Sequence, residues 1–191
     1  MSRMRPLVIS LVQSINGSFA QDGWSTGVST DTDFRHFLAL RRRASALVID
    51  RPTALNRQLP VINAPGKALE HTPVHVLTES DPAPLAAQLS ELGVDYRATR
   101  FTPESVAEVI ASLDTRADTS AGEELIVCES GPHLGFRLLE SYPGAELQLS
   151  VSPRYIHTAT SHFCQLRTEI ELRLIEARAE DDQVFLRYRR A

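Results

Sequence analysis

The sequence alternates short apolar runs with segments of helical periodicity, and this order restricts the chain to few folds. Val, Ile and Leu dominate the runs at residues 6–13, 46–50, 74–78 and 125–128, which are typical of buried strands. A segment with helix signals follows the first, third and fourth of these runs, while residues 51–72 indicate an irregular loop. Such alternation predicts an α/β fold in which helices cover a mostly parallel sheet.

The first helix is predicted after Thr30–Thr32, whose hydroxyl and carboxylate oxygens can cap a helix N-terminus. Three arginines at 41–43 mark its C-terminal end, where the helix dipole favours cations, and we expect them to be solvated. The residues that share the predicted buried face at helical spacing are Phe34, Phe37, Leu38 and Arg41.

Shorter signals predict the remaining elements. A helix from Pro82 to Leu92 stops at Gly93, and Thr102-Pro103 is typical of the start of another. A further helix begins in the segment that follows residue 129. Short strands are predicted at 60–63, 95–99 and 146–151.

The C-terminal segment has a different pattern. Apolar and charged residues alternate from Leu166 through Thr168 to Leu174, which is typical of a half-buried strand. A turn at 180–182 then leads into a partner strand at 183–188. The sequence therefore predicts one domain over 1–191 that closes with an antiparallel hairpin.

Composition narrows the class of protein. The 24 Asp and Glu outnumber the 20 Lys and Arg, among which Lys67 is the only lysine, and this balance argues against general nucleic-acid binding. No apolar run approaches the roughly 18 residues that span a bilayer, and the N-terminus is unlike a signal peptide. Cys128 and Cys164 make no disulfide framework, and the histidines make no zinc motif. We expect a cytoplasmic protein with no metal, nucleic-acid or membrane partner.

Ligands of open α/β sheets bind at the carboxyl ends of the strands, so three junctions are candidate sites. They are Ser14–Gly17, Asp50–Thr53 and Glu129–Leu134. The third has small residues before a helix, where backbone N–H groups can hold a phosphate. It can equally be a tight turn that needs glycine for backbone reasons, because it is neither a G-x-G-x-x-G motif nor a P-loop.

These junctions resemble motifs of the reductase domain of bacterial riboflavin biosynthesis, within the dihydrofolate-reductase-like superfamily. The family's S-x-D-G segment is similar to Ser14–Gly17, and its L-R-A-x-A-D-A helix end to residues 40–46. Its G-x-G-T turn corresponds to Asp50–Thr53 and its E-G-G-P turn to Glu129–Pro132. The resemblance covers nearly the whole chain.

The resemblance implies a dihydrofolate-reductase-like fold, a homodimer and an NADPH-dependent reductase, with NADH as the other possible cofactor. The implied reaction is hydride transfer to a pyrimidine-like small molecule, as in 5-amino-6-(5-phosphoribosylamino)uracil reductase. Glu129 and Asn16 match the positions expected to be catalytic. The implied cofactor-binding residues are Asp50, Thr53, Thr78, Ser130, Gly131, Pro132, His133 and Leu134. The implied substrate-binding residues are Ser14, Gly17, Trp24, Ser29 and Arg57.

The chain departs from the family pattern at the same junctions. Asp50 and Pro52 replace both glycines of G-x-G-T, Asn16 replaces an aspartate, and Ser130 replaces a glycine. Glu79 follows the third strand, where it would repel a 2′-phosphate but could bind a plain ribose. These departures support an alternative hypothesis: a catalytically degenerate protein on the same fold that binds a ligand or forms a dimeric interaction module.

Overall fold

The computed structural model describes residues 4–116, 124–164 and 169–191, which form an eight-stranded sheet with helices on both faces. The strands are β1 (Leu7–Ser14), β2 (Ala46–Ile49), β3 (Val74–Thr78), β4 (Tyr96–Arg100), β5 (Ile126–Cys128), β6 (Ala145–Ser152), β7 (Leu172–Glu180) and β8 (Gln183–Arg190). Their order in the sheet is β4-β3-β2-β5-β1-β6-β8-β7. The pairs from β4 to β6 are parallel, while β8 pairs antiparallel with β6 and β7. The predicted mixed, mostly parallel sheet with a C-terminal hairpin is confirmed.

Helices on the two faces of the sheet fill two separate apolar layers. The helices are α1 (Asp31–Arg42), α2 (Arg51–Ala54), α3 (Pro82–Glu91), α4 (Val106–Ser112) and α5 (Pro132–Ser141). Leu40 of α1 and Leu89 of α3 lie in one layer, whereas Ile110 of α4 and Leu138 of α5 lie in the other. None of the described helices is long and apolar enough to cross a membrane.

Helix α1 begins after the predicted cap, because the side chain of Thr30 accepts a hydrogen bond from the Asp33 N–H. The prediction of its buried face is wrong. Leu40 and Asp33 are buried, whereas Phe34 is 53% exposed and stacks on Phe37. The physical reason is that the N-terminal half of α1 lies over polar Ser150 of β6, which hydrogen-bonds to Asp33.

Three local predictions also need correction. Helix α4 begins at Val106 instead of near Thr102, because Thr102 and Ser105 bond to each other in a turn that precedes it. Residues 60–63 form turns and no strand. Residues 51–54 form one helical turn, α2, where a loop is predicted, because Asp50 caps it.

The C-terminal hairpin has the predicted turn, and its strands are β7 and β8. Alternation from Leu166 predicts an earlier start for its first strand than Leu172. Residues 166–168 lie outside the described residues, and 169–171 are not in a strand.

Candidate functional site

The sheet order creates a crevice at the carboxyl ends of β5 and β1. The chain leaves β1 through α1 to reach β2, and it leaves β5 through α5 to reach β6 on the other side. Helices α1 and α5 lie on opposite faces of the sheet. In open α/β sheets, ligands bind between two neighbouring strands whose following helices lie on opposite faces of the sheet. The three predicted junctions therefore lie on neighbouring strands, in the order β2, β5 and β1.

Strand β1 extends further than β5 at the carboxyl end of the sheet, so the two sides of the crevice differ in height. Pairing between β1 and β5 ends at Ile9 and Cys128, whereas pairing between β1 and β6 continues to Ser14 and Ser152. Five further residues at about 3.3 Å each raise the end of β1 roughly 16 Å above the end of β5. The Ser14–Gly17 turn thus stands well apart from the junctions that follow β2 and β5.

The turn after β1 is closed by its own side chains and by a neighbouring loop. The Ser14 hydroxyl donates to Asn16 Oδ1 at 2.7 Å and accepts from the Ser18 N–H at 2.9 Å. Asn16 Nδ2 donates to the Ile156 carbonyl at 2.9 Å, and its Oδ1 accepts from the Ile156 N–H at 3.1 Å. Gly17 has a φ of +85°, a conformation that favours glycine. Asn16, predicted to be catalytic, ties two loops together.

The other predicted substrate residues beyond this turn also have partners. Trp24 is half-buried and pairs through its backbone with Gln21. The Ser29 hydroxyl donates to Asp33, whose carboxylate also accepts from Ser150. Asp33 is 8% exposed, so a buried carboxylate held by two hydroxyl groups lies beneath the start of α1.

Glu129, the predicted catalytic carboxylate, is bound to an arginine. Its side chain is only 5% exposed, and its two oxygens accept from Arg41 Nε at 2.8 Å and Nη2 at 2.6 Å. The Arg41 guanidinium in turn lies 4.8 Å from the centre of the Phe37 ring. Such a bidentate pair is geometrically specific, so the carboxylate is held in one place with its charge balanced. The expectation that Arg41 is solvated is wrong.

The junctions after β2 and β5 are joined by a single carboxylate. Asp50 Oδ1 accepts from the Thr53 N–H at 2.9 Å, and Asp50 Oδ2 accepts from the Gly131 N–H at 2.7 Å. A Cβ at position 131 would lie 3.1 Å from Asp50 Oδ2, so glycine there lets the carboxylate approach without a shift. Thr53 and Gly131, which the resemblance assigns to the cofactor together with Asp50, therefore both donate to the Asp50 carboxylate.

The rest of the Glu129–Leu134 junction belongs mostly to the fold. The Ser130 hydroxyl lies 3.2 Å from the Cys128 sulfur and donates to the Gly131 carbonyl at 2.9 Å. Burial raises the pKa of the Cys128 thiol to about 12, so that thiol is neutral. Pro132 starts α5 and Leu134 is 7% exposed in the core, whereas the His133 side chain is exposed.

Two of the predicted ligand-binding residues, Thr78 and Arg57, lie away from the crevice at the ends of β1 and β5. Thr78 ends β3, and its hydroxyl accepts from the Ser80 N–H at 3.1 Å. Arg57 is exposed and shares with Thr53 a surface groove of about 300 Å³. The groove residues beyond these two are Ala54, Asn56, Leu59, Pro60, Val61, Ile62, Leu92, Val94 and Tyr96. The structure thus separates Arg57 from Ser14, Gly17, Trp24 and Ser29.

The Asp50 carboxylate opposes the diphosphate of a nicotinamide dinucleotide at the α5 turn. Its Gly131 N–H, which would hold a phosphate oxygen, already donates to Asp50. A phosphate placed about 4 Å from the Asp50 carboxylate would be repelled by about 4 kcal/mol at an effective dielectric constant of about 20, because both groups are negative. Glu79, which follows β3, does not add to this repulsion, because Arg137 pairs with it at 2.8 Å.

Sequence reasoning missed Arg41 and Ile156 as partners of the predicted catalytic residues. Arg41 stands in a run of three arginines, and nothing local distinguishes the one that turns inward. Ile156 contributes only backbone groups, which carry no residue-type signal. The N-cap pattern of Asp50 before Pro52 and Thr53 was the one detectable signal, because aspartate is a preferred cap.

No protein-family model and no curated protein sequence matches the chain. Solved structures do match it. A pyrimidine reductase-like protein from Corynebacterium diphtheriae has 16% identity and a TM-score of 0.66, over 98% of this chain and 92% of that one. A diaminohydroxyphosphoribosylaminopyrimidine deaminase/5-amino-6-(5-phosphoribosylamino)uracil reductase from Thermotoga maritima has 13% identity and a TM-score of 0.64, over 98% of this chain and 57% of that one.

Dihydrofolate reductase from Enterococcus faecalis, complexed with NADP(H), has 13% identity and a TM-score of 0.57, over 97% of this chain and 96% of that one. The chain therefore has the dihydrofolate-reductase-like fold. Within it, the structure is similar to the pyrimidine reductase-like proteins, as the sequence motifs predict. At these identities the likeness defines the fold, and activity must be argued from the site.

Proposed function

We propose that this chain is a catalytically degenerate protein on the pyrimidine reductase fold, which binds a small organic ligand at the crevice and forms a homodimer. The observation that carries the proposal is that both predicted catalytic side chains are committed elsewhere. Glu129 is buried against Arg41, and Asn16 uses both ends of its amide on Ile156. Neither is free to move a proton at a reacting atom.

A turnover assay tests the loss of catalysis. Purified protein is mixed with NADPH or NADH and, in separate reactions, with dihydrofolate and 5-amino-6-(5-phosphoribosylamino)uracil, and cofactor oxidation is followed by absorbance. We expect no rate above the cofactor-only control. A rate that disappears in Glu129→Gln but survives in the surface variant Glu91→Gln would overturn the proposal.

An apolar face of the hairpin that the described residues leave partly exposed supports the homodimer. Leu186 of β8 pairs with Leu149 of β6, and Val184 pairs with Val151, so these side chains share the face on which α5 lies. Val184 remains 38% exposed, and Leu174 of β7 remains 50% exposed. Apolar side chains clustered on a surface are typical of protein interfaces.

Light scattering after size exclusion tests the homodimer. We expect wild type and Phe34→Glu, which changes an exposed aromatic residue on α1, to have the mass of a dimer. Leu174→Glu is expected to have the mass of a monomer, because a carboxylate on the apolar face opposes association. A wild-type monomer would show that this face is not a dimer contact.

The second candidate is an NAD(P)H-dependent reductase, in the cytoplasm, of a pyrimidine-like molecule. The specific observation in its favour is that one edge of the sheet brings the Ser14–Gly17, Asp50–Thr53 and Glu129–Leu134 junctions to neighbouring strands. The candidate requires the cofactor to bind without the Gly131 N–H or to displace Asp50. Isothermal titration calorimetry with NADPH and NADH tests this candidate. If neither cofactor shows saturable binding, the reductase function is excluded.

A further inference from the structure

Asp50 holds the position that an anionic ligand would take at the start of α5. Its Oδ2 accepts from the Gly131 N–H at 2.7 Å while its Oδ1 accepts from the Thr53 N–H at 2.9 Å. Both bonds are charge-assisted, and together they use both carboxylate oxygens. A Cβ built at position 131 would lie 3.1 Å from Asp50 Oδ2, so the carboxylate packs closely against this turn.

An intramolecular carboxylate has a large advantage over a free anion at the same N–H. The turns that begin α2 and α5 already hold the Asp50 carboxylate in place, so it competes for the Gly131 N–H at a high effective concentration. Among the described residues, no Lys or Arg side chain hydrogen-bonds to Asp50 or pairs with it, so no ion pair balances its negative charge. A phosphate that approached Gly131 would meet this charge.

We propose that Asp50 is a specificity-determining residue, which fills the anion position of the α5 turn and excludes phosphorylated ligands from it. The ligand of the crevice is consequently neutral or cationic where it approaches Gly131. This proposal rests on the proposed function, because it defines the class of ligand that the same crevice accepts.

The test replaces Asp50 with serine. The variant Asp50→Ser keeps a hydroxyl that can cap the Thr53 N–H but cannot reach the Gly131 N–H, so it frees the anion position while preserving α2. The matched control is Asp81→Ser, which makes the same change at the cap of α3, where Asp81 accepts from the Ala83 N–H.

Binding of inorganic pyrophosphate and of NADPH is measured by titration calorimetry, and the Gly131 amide is followed by ¹⁵N-edited NMR. We expect wild type and Asp81→Ser to show no movement of the Gly131 amide. Asp50→Ser is expected to bind pyrophosphate at least about tenfold more tightly than wild type and to shift that amide, because charge-assisted N–H bonds become available.

Two results would overturn the inference: pyrophosphate that moves the Gly131 amide of wild type, or an Asp50→Ser affinity equal to that of wild type. If Asp50→Ser does not fold by circular dichroism, Asp50→Asn replaces it, because an amide has one oxygen for two N–H groups and must release one of them. The proposed function fails in a different assay. It is overturned by turnover in the wild-type protein, and that result does not depend on what Asp50→Ser binds.

Discussion

The two ends of the sheet are stabilised by different interactions. At the parallel end, β2, β3 and β5 are covered on both faces by helices, and Leu47, Val76 and Ile126 are fully buried. At the hairpin end, β7 and β8 carry many exposed residues, and arginine–carboxylate pairs connect them to the rest of the protein. Burial stabilises one end and charge the other.

Two ion-pair groups hold the hairpin. Glu146 of β6 accepts from Arg187 at 2.8 Å and from Arg189 at 3.1 Å, both on β8. On the far side of the hairpin, Glu180 lies 2.9 Å from His36 of α1 and 2.8 Å from Arg178. A strand without a covering helix therefore needs polar partners to fix its position.

The largest effect is expected from Ile126→Ala in the parallel end. Ile126 is 0% exposed, so the substitution leaves a cavity between the helix layers and should lower the free energy of unfolding by about 3 to 4 kcal/mol. Leu174→Ala in the hairpin, where the side chain is 50% exposed, should cost less than about 1 kcal/mol. Urea unfolding measures both values, and equal losses would contradict the contrast.

Acid should weaken the parallel end first, through His75. Burial, followed by the charges of Arg97 and Arg5, lowers the pKa of His75 from its ordinary 6.5 to about 4. The unfolded chain therefore binds a proton between these values that the folded chain does not. Stability is full above pH 6.5 and falls by up to about 3 kcal/mol as the pH drops towards 4.

Unfolding curves at several pH values between 4 and 7 check this dependence. His75→Gln retains a donor for the Asp114 carbonyl, to which His75 Nε2 bonds at 3.0 Å, and cannot titrate. Its stability should change less over the same pH range than that of wild type. An unchanged slope would show that another group causes the acid sensitivity.

At the hairpin end, Glu146→Gln should lower the free energy of unfolding at pH 7 by about 1 kcal/mol, because it removes a charge that two partly exposed arginines share. Burial raises the pKa of Glu146, but the hydrogen bonds and charges of Arg187 and Arg189 outweigh it and leave the pKa below its usual value. Its stabilising contribution is therefore present above pH 4.5 and is lost as the pH falls through the lowered value.

Thermal unfolding with increasing salt measures this second effect. Added salt screens charges on the partly exposed hairpin, so the difference between Glu146→Gln and wild type should shrink. The loss caused by Ile126→Ala should not shrink with it. A salt-independent Glu146→Gln would mean that packing, rather than charge, explains its effect.

The smallest effect is expected at the hairpin turn. Asp181 and Asp182 have φ values of 47° and 62°, in the left-handed region that favours glycine. Asp182→Gly should stabilise the protein by about 0.5 kcal/mol by removing this strain. Asp181→Gly is the matched control, since it also removes the contacts of Asp181 with Thr32 and Arg35 and should bring no gain. Thermal melts of the two variants compare them.

The spacing of apolar residues predicted most of the fold, because it indicates which side of each segment is buried. The runs that became β1, β2, β3 and β5 are mostly apolar, since helices cover them on both faces. The prediction of the buried face of α1 was wrong because Phe34 and Phe37 are apolar but pack on each other. The start of α4 was misplaced because Thr102 bonds to Ser105 in a turn instead of capping the helix.

The candidate site was predictable only in part. The junctions at the carboxyl ends of the strands lie on neighbouring strands, and Asp50 and Gly131 meet there. Arg57 instead lies in a surface groove that Thr53 also lines. Which contacts a junction residue makes depends on the strand beside it, and no local pattern records that neighbour.

Local patterns in the sequence were enough to predict most of the strands and helices, the closing hairpin and the resemblance to the pyrimidine reductases. These features depend on local burial and on motifs, which neighbouring residues encode. The contact of Asp50 with Gly131, 81 residues away, and that of Arg41 with Glu129, 88 residues away, became visible in the folded chain alone. The physical reason is that β5 enters the sheet between β2 and β1, and that insertion brings together charges that are distant along the chain.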